Sequence, residues 1–203
     1  MPIITTTKQL RPRTAHDFYP TPIELCYSAL RLINTHPYRV YDPGAGDGVW
    51  GDAARILWDD TFIEGCDLRN IPQPTAYDHW TNQCDYLKTD FRFPFDVIMG
   101  NPPYRYAEQF IRQSLRFVRP SGANGGYIIF LLRLAFLESQ TRGRGLWLEH
   151  PPKSIHVLVS RPSFTGNGKT DATAYAIYIW QKGWTGITEL KWLDWENNQQ
   201  QML

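Results

Sequence analysis

The chain has 203 residues, 42% hydrophobic and 14% aromatic, with a net charge of +1. This is enough for one ordinary globular unit with a real core, and the near-zero charge excludes a polybasic nucleic-acid binder by composition. Cys26, Cys66 and Cys84 are odd in number and lack C-x-x-C spacing, which suits neither a disulfide framework nor a metal centre.

Charge is unevenly spread along the chain. Residues 40–100 hold eleven acids against four bases, whereas residues 101–203 hold twelve bases against seven acids. A basic half can lie along phosphates while an acidic half handles something else. The opening MPIITTTKQL lacks a charged-then-apolar signal pattern. The longest apolar run, Tyr127 to Leu132, stops at Arg133, too short to span a bilayer. A soluble, cytoplasmic protein with no membrane partner is expected.

Residues 22–34 read as a helix, with Thr21 as its cap, Pro22 in the first turn and Glu24 completing a Thr-x-x-Glu capping box. The same FYPTP stretch, with Tyr19, Thr21 and Pro22, is a candidate carboxylate seat, because a helix N-terminus offers unpaired N–H groups. Strands are expected at 38–42 and 61–67, with a helix between them, and a weak third strand before Cys84. FDVIMG (95–100) is nearly unbroken in its apolar character, as in the middle of a parallel sheet. An amphipathic helix over 105–118 and a buried strand over 125–132 follow, then a helical or mixed stretch over 134–148. Strands at 154–160 and 173–181 are joined by the loop RPSFTGNGKTDA without a helix, so the later one should run antiparallel; 187–195 could add an edge strand. This alternation predicts an α/β, mostly parallel doubly wound sheet in a single domain over 1–203.

Two segments carry chemistry. In DPGAGDG (42–48), Gly44, Gly46 and Gly48 let the backbone turn tightly and approach a ligand. Asp42 stands at a strand tip, where open α/β sheets bind ligands, and Asp67 ends the next strand, where an acid takes ribose hydroxyls. A dinucleotide would use similar parts, but Val49 replaces the third glycine, and Asp42 and Asp47 would repel a pyrophosphate. They would attract the ammonium and sulfonium of S-adenosyl-L-methionine, towards which the loop leans. Asp85 and Tyr86 in CDYL are candidates for its adenine, as hydrogen-bond acceptor and packing surface.

The second segment is Asn101-Pro102-Pro103-Tyr104, which closes the 95–100 strand. An amine conjugated to an aromatic ring is a poor nucleophile, because its lone pair is delocalised. Two acceptors that take its two protons favour a tetrahedral nitrogen; the Asn101 side-chain oxygen and the Pro102 carbonyl can do so, and proline rigidity aims the latter. Tyr104 offers a stacking face.

The order FYPTP, DPGAGDG, the acid after the second strand, CDYL and NPPY resembles the adenine-N6 DNA methyltransferases, in their gamma-like motif arrangement, over residues 16–181. The resemblance implies a Rossmann-like methyltransferase fold and S-adenosyl-L-methionine as cofactor, with no metal. It implies cofactor contacts at Tyr19, Thr21, Pro22, Asp42, Gly44, Gly46, Asp67, Asp85 and Tyr86. Asn101, Pro102, Pro103 and Tyr104 would hold the target amine, and Phe164 would stack on a base rotated out of the duplex. Arg142, Arg144, Arg161 and Lys169 suit backbone phosphates. About twenty residues follow the last core strand, whereas these enzymes usually append a target-recognition domain. Specificity would then be slight, lie in loops, or come from a separate subunit. Adenine in RNA and a non-catalytic nucleic-acid-binding role are the alternatives; protein glutamine methyltransferases share NPPY but usually carry an extra helical domain.

Overall fold

The computed structural model describes residues 20–120, 126–164 and 173–197. Helix α1 (Ile23–Leu30) precedes strand β1 (Arg39–Pro43), helix α2 (Val49–Leu57), strand β2 (Phe62–Cys66) and the short strand β3 (His79–Thr81). Then come β4 (Val97–Gly100), α3 (Ala107–Phe117), β5 (Tyr127–Arg133), the short helices α4 (Gln140–Arg144) and α5 (Leu146–Glu149), β6 (Ser154–Leu158), β7 (Tyr175–Gln181) and β8 (Glu189–Leu193).

The strands form one sheet in the order β3-β2-β1-β4-β5-β7-β6-β8. β1 pairs in parallel with both β2 and β4, and β4 with β5. β7 enters antiparallel between β5 and β6, as expected from the sequence, and β8 lies parallel to β6 at the edge. All four residues of β4 are buried, because helices cover both sheet faces; this is why the strand reads as a continuous apolar run. Side chains alternate between two packed layers. Val40, Val97, Met99 and Ile129 meet Leu25, Leu30 and Trp50 from α1 and α2, while Tyr41, Ile98 and Phe130 meet Phe110, Ile111 and Phe117 from α3.

The expected capping box is absent. Pro22 is the N-cap of α1, with no side-chain cap, so helical geometry begins one residue later than the Thr-x-x-Glu spacing requires. Thr21 is thereby released from capping and its hydroxyl serves the site below. The helix also ends at Leu30, well before residue 34. Among the described residues, no helix is long and apolar enough to cross a membrane, and no cluster of His, Cys, Asp and Glu could hold a metal.

Candidate active site

Parallel pairing places the tips of β1, β2 and β4 side by side. The loop after β1 turns at Gly44, Gly46 and Gly48, all in the left-handed region, with φ of 73°, 66° and 91°. Residues with a Cβ adopt that region at a cost, so the G-x-G-x-G spacing reflects the shape of the turn. The turn is strapped to β2: Gly44 and Ala45 both donate to the Cys66 carbonyl at 2.9 Å, and the Gly46 N–H donates to Asp67 Oδ2 at 2.9 Å.

At the end of β4, Gly100 has φ 151° and turns the chain into Asn101. A cleft of about 1210 Å³ runs from Gly44, Gly46 and Asp47, past Asp67 and Tyr86, to Asn101, Pro103 and Tyr104. Thr21 closes one side; the Asn101 Nδ2 donates to its Oγ1 at 3.2 Å. The first and last motifs of the sequence, eighty residues apart, thus meet in one hydrogen bond. Pro102 is buried and does not wall the cleft.

Several expected roles change. Asp42 is fully buried and outside the cleft wall. The Tyr77 hydroxyl donates to its Oδ2 at 2.6 Å, and Oδ1 has no hydrogen-bond partner among the described residues. Tyr77 seats its ring where a Cβ on Gly51 or Gly65 would come within 2.4 Å, a place that only glycine leaves open. Asp42 therefore supports the loop from below instead of lining the cleft. Burial, opposed by the Tyr77 hydrogen bond, raises its pKa from 3.8 to about 8. The native carboxyl holds its proton more tightly than the unfolded one, so its stabilisation is complete below about pH 4 and lost as pH rises through about 8. The melting midpoint should fall between pH 6 and 9, and Asp42→Asn should flatten that slope; thermal scans of both proteins across the range check this.

Asp67 does reach the cleft, but its carboxylate is engaged. Besides Gly46, it accepts from the Arg69 N–H (2.8 Å), Nε (2.9 Å) and guanidinium NH2 (3.1 Å). Beside it Leu68 is 58% exposed and also walls the cleft. Asp85 caps a short 3-10 turn through the Leu87 N–H and pairs with Lys88 at 3.0 Å. Tyr86 is a core ring: its hydroxyl bonds Ser114 at 2.8 Å, and its centroid is 5.1 Å from Phe110. Its faces are thus largely used by the protein. Phe164 is buried, edge-on to Tyr175 at 5.1 Å, and outside the cleft wall. Arg142 does wall the cleft, but its guanidinium is tied to the Phe136 and Glu138 carbonyls. Arg144 and Arg161 are exposed away from the cleft wall, and Pro22 serves α1. Tyr19 and Lys169 lie outside the described residues.

Sequence reasoning missed Arg69, Leu68, Tyr77, Gly100, Arg105 and Arg133. Arg133 had registered only as the end of an apolar run. Arg105 and Arg133 both wall the cleft with Tyr104, and among the described residues neither has a carboxylate in ion-pair range. By the glycine turn Asp47 is exposed and, among the described residues, without a salt bridge, whereas Asp67 and Asp85 are paired with Arg69 and Lys88. The cleft thus carries an acid without a salt bridge by the glycine turn and two such bases beside Tyr104.

This sheet order, with one reversed strand among parallel neighbours and a glycine turn at the β1 tip, is the Rossmann-like methyltransferase fold. No family model and no curated protein matches the chain. Similar solved structures include a modification subunit assigned to a type I restriction enzyme from Vibrio vulnificus YJ016, with TM-score 0.63 and 15% identity over 84% of this chain. A chain from a type I R-M system aligns with TM-score 0.60 and 18% identity over 91% of this chain. A predicted O-methyltransferase from Agrobacterium tumefaciens gives 0.57 and 16%, covering 83% of this chain and 84% of its own. The present chain spans under half the length of the first two, 45% and 46%.

Proposed function

We propose that this protein transfers a methyl group from S-adenosyl-L-methionine to the 6-amino group of adenine in DNA, in the manner of the adenine-N6 DNA methyltransferases. One observation carries the reading: a single continuous cleft joins the glycine turn to Asn101 and Tyr104. Its volume of about 1210 Å³ exceeds the roughly 300–1,000 Å³ of ordinary ligand pockets, leaving room for a cofactor and a base together. The donor set fits a cationic cofactor: the turn presents Asp47 where a pyrophosphate would be repelled.

When bound, the cofactor supplies an electrophilic methyl carbon on a sulfonium, so the protein's work is orientation and electrostatics. Asp67 offers two carboxylate oxygens to the ribose diol, and Arg69 yields at least one of them. Leu68 gives the adenine of the cofactor an apolar wall. Asn101 accepts one proton of the target amine; the Pro102 carbonyl, behind the present cleft wall, accepts the other only once the Asn101 turn shifts to expose it. The Asn101 Oδ1 is enclosed in the present arrangement, so the amide rotates to bring its oxygen into the cleft. Thr21 permits this, because a hydroxyl both donates and accepts and can hold either end of the amide. Tyr104 stacks on the ring. The basic residues at the target end favour a nucleic acid over a protein amide. The structural likeness to chains of type I modification systems supports a separate subunit as the source of sequence specificity.

Labelled cofactor, offered with mixed duplex DNA, single-stranded DNA, RNA and protein and followed by nucleoside digestion, tests the reading. N6-methyladenine from DNA is expected. Label on cytosine or protein would reject the adenine assignment, and label confined to RNA would move it to the other nucleic acid. Asp67→Ala should weaken cofactor binding by roughly 10–100-fold, the loss of hydrogen bonds to a charged group; unchanged affinity by calorimetry would reject the ribose role.

A further inference from the structure

The Tyr104 ring walls the cleft, and an arginine lies over it. Its phenol ring meets the buried Tyr175 ring with centroids 5.8 Å apart. On the cleft side the Arg133 guanidinium carbon lies 4.9 Å from the Tyr104 centroid, and both residues wall the cleft. Arg133 ends β5 and is exposed. The other cleft arginines are held elsewhere: Arg142 by loop carbonyls, Arg69 by Asp67, and Arg105 over its neighbour Tyr106 at 4.7 Å. Phe164, expected as the second aromatic wall, packs edge-on to Tyr175 and does not reach the cleft.

We propose that Arg133 is the second wall of the target pocket, and that the purine ring slides between it and Tyr104, stacked on both faces. This rests on the adenine reading above and deepens it. A guanidinium is planar and weakly hydrated and stacks on π faces, and unstacked bases are commonly held on arginine planes. Admitting a ring requires about 7 Å between Tyr104 and the guanidinium, two van der Waals separations. The exposed, flexible Arg133 stem supplies that opening while Tyr104 stays anchored on Tyr175. A flat aromatic amine gains both contacts; a glutamine amide has no ring to fill the gap. Arg133 is therefore a specificity-determining residue for a flat ring over a side-chain amide.

The test uses the fluorescent purine 2-aminopurine deoxyriboside, titrated into the protein saturated with S-adenosylhomocysteine. Wild type should quench its fluorescence saturably. Arg133→Ala and Arg133→Lys should weaken binding about 10-fold or more, the loss of one stacking partner, whereas Arg133→Phe should retain it. Calorimetry with S-adenosylhomocysteine should give unchanged affinity in all four proteins, which shows that the fold is intact. The proposal is overturned if wild type gives no saturable quenching or if Arg133→Ala matches it. It is equally overturned if Lys restores binding and Phe does not, since that pattern marks an ionic contact. Purine binding that follows the expected series, without methyl transfer to DNA, would uphold this pocket and reject the methylation reading alone.

Discussion

Asn101→Ala should lose methyl transfer, with kcat lowered roughly 10²–10³-fold, the scale for removing one preorganised hydrogen-bonding group at a reacting centre. S-adenosylhomocysteine affinity should stay unchanged, because Asn101 stands at the target end of the cleft while Asp67 and the glycine turn form the other end. The physical reason is the nitrogen's lone pair. Without an acceptor for its proton the amine remains planar, and its electrons stay in the ring. Thr21→Val separates two parts of this argument. It removes the hydroxyl that meets the amide at 3.2 Å but keeps the amide, so its kcat should fall less than that of Asn101→Ala. Single-turnover rates measured beside calorimetric affinities check both, and equal transfer by Asn101→Ala would remove the mechanism.

Gly100→Ala should damage both stability and activity. A Cβ there would stand 2.8 Å from Asp42 Oδ1, and the backbone φ of 151° disfavours any side chain. Asp42 cannot step aside, because it is buried and held by Tyr77 at 2.6 Å. Local strain of about 1–3 kcal/mol lowers the melting midpoint by roughly 2–12 °C in a chain of this size. Because Asn101 is the next residue, relief of the clash moves the amide proposed to hold the target amine, and turnover should fall with stability. Gly143→Ala is the control: nothing lies within 4 Å of its added Cβ, so midpoint and rate should hold. A Gly100→Ala protein as stable and active as the control would reject the strained strand end.

The two clearest sequence signals were ones in which residue type and backbone geometry are the same fact. G-x-G-x-G reads as a tight turn because few residues other than glycine take three positive φ angles in seven positions. VIMG reads as a central strand because helices cover both its faces. The helix-free loop before Tyr175 announced the antiparallel strand for a similar local reason. What was illegible depends on partners distant in sequence. Tyr77 lies in a polar loop between strands, and nothing in that stretch shows that its hydroxyl reaches back thirty-five residues to Asp42. Asp42 therefore looked like a ligand and is a buried support. Tyr86 looked like a packing surface because it is aromatic beside a motif, and Phe164 took its stacking role from the resemblance alone; the two rings pack against Phe110 and Tyr175. The capping box failed by a shift of one residue, the scale at which helix boundaries are hard to read. Arg133 was visible only as a charge ending an apolar run; its place over Tyr104 comes from the pairing of β4 with β5.

The central claim is that cofactor and target ring occupy one cleft, with the methyl carbon facing an amine held by Asn101. A bisubstrate compound tests it most directly: adenosine joined through its N6 atom to the methionine-bearing half of the cofactor. By calorimetry, wild type should bind it at least roughly 10²-fold more tightly than S-adenosylhomocysteine, as a mimic of the transfer geometry should, and Asn101→Ala should lose that advantage. If the joined compound binds no better than S-adenosylhomocysteine, the two ends of the cleft do not act on one reaction, and the account is wrong.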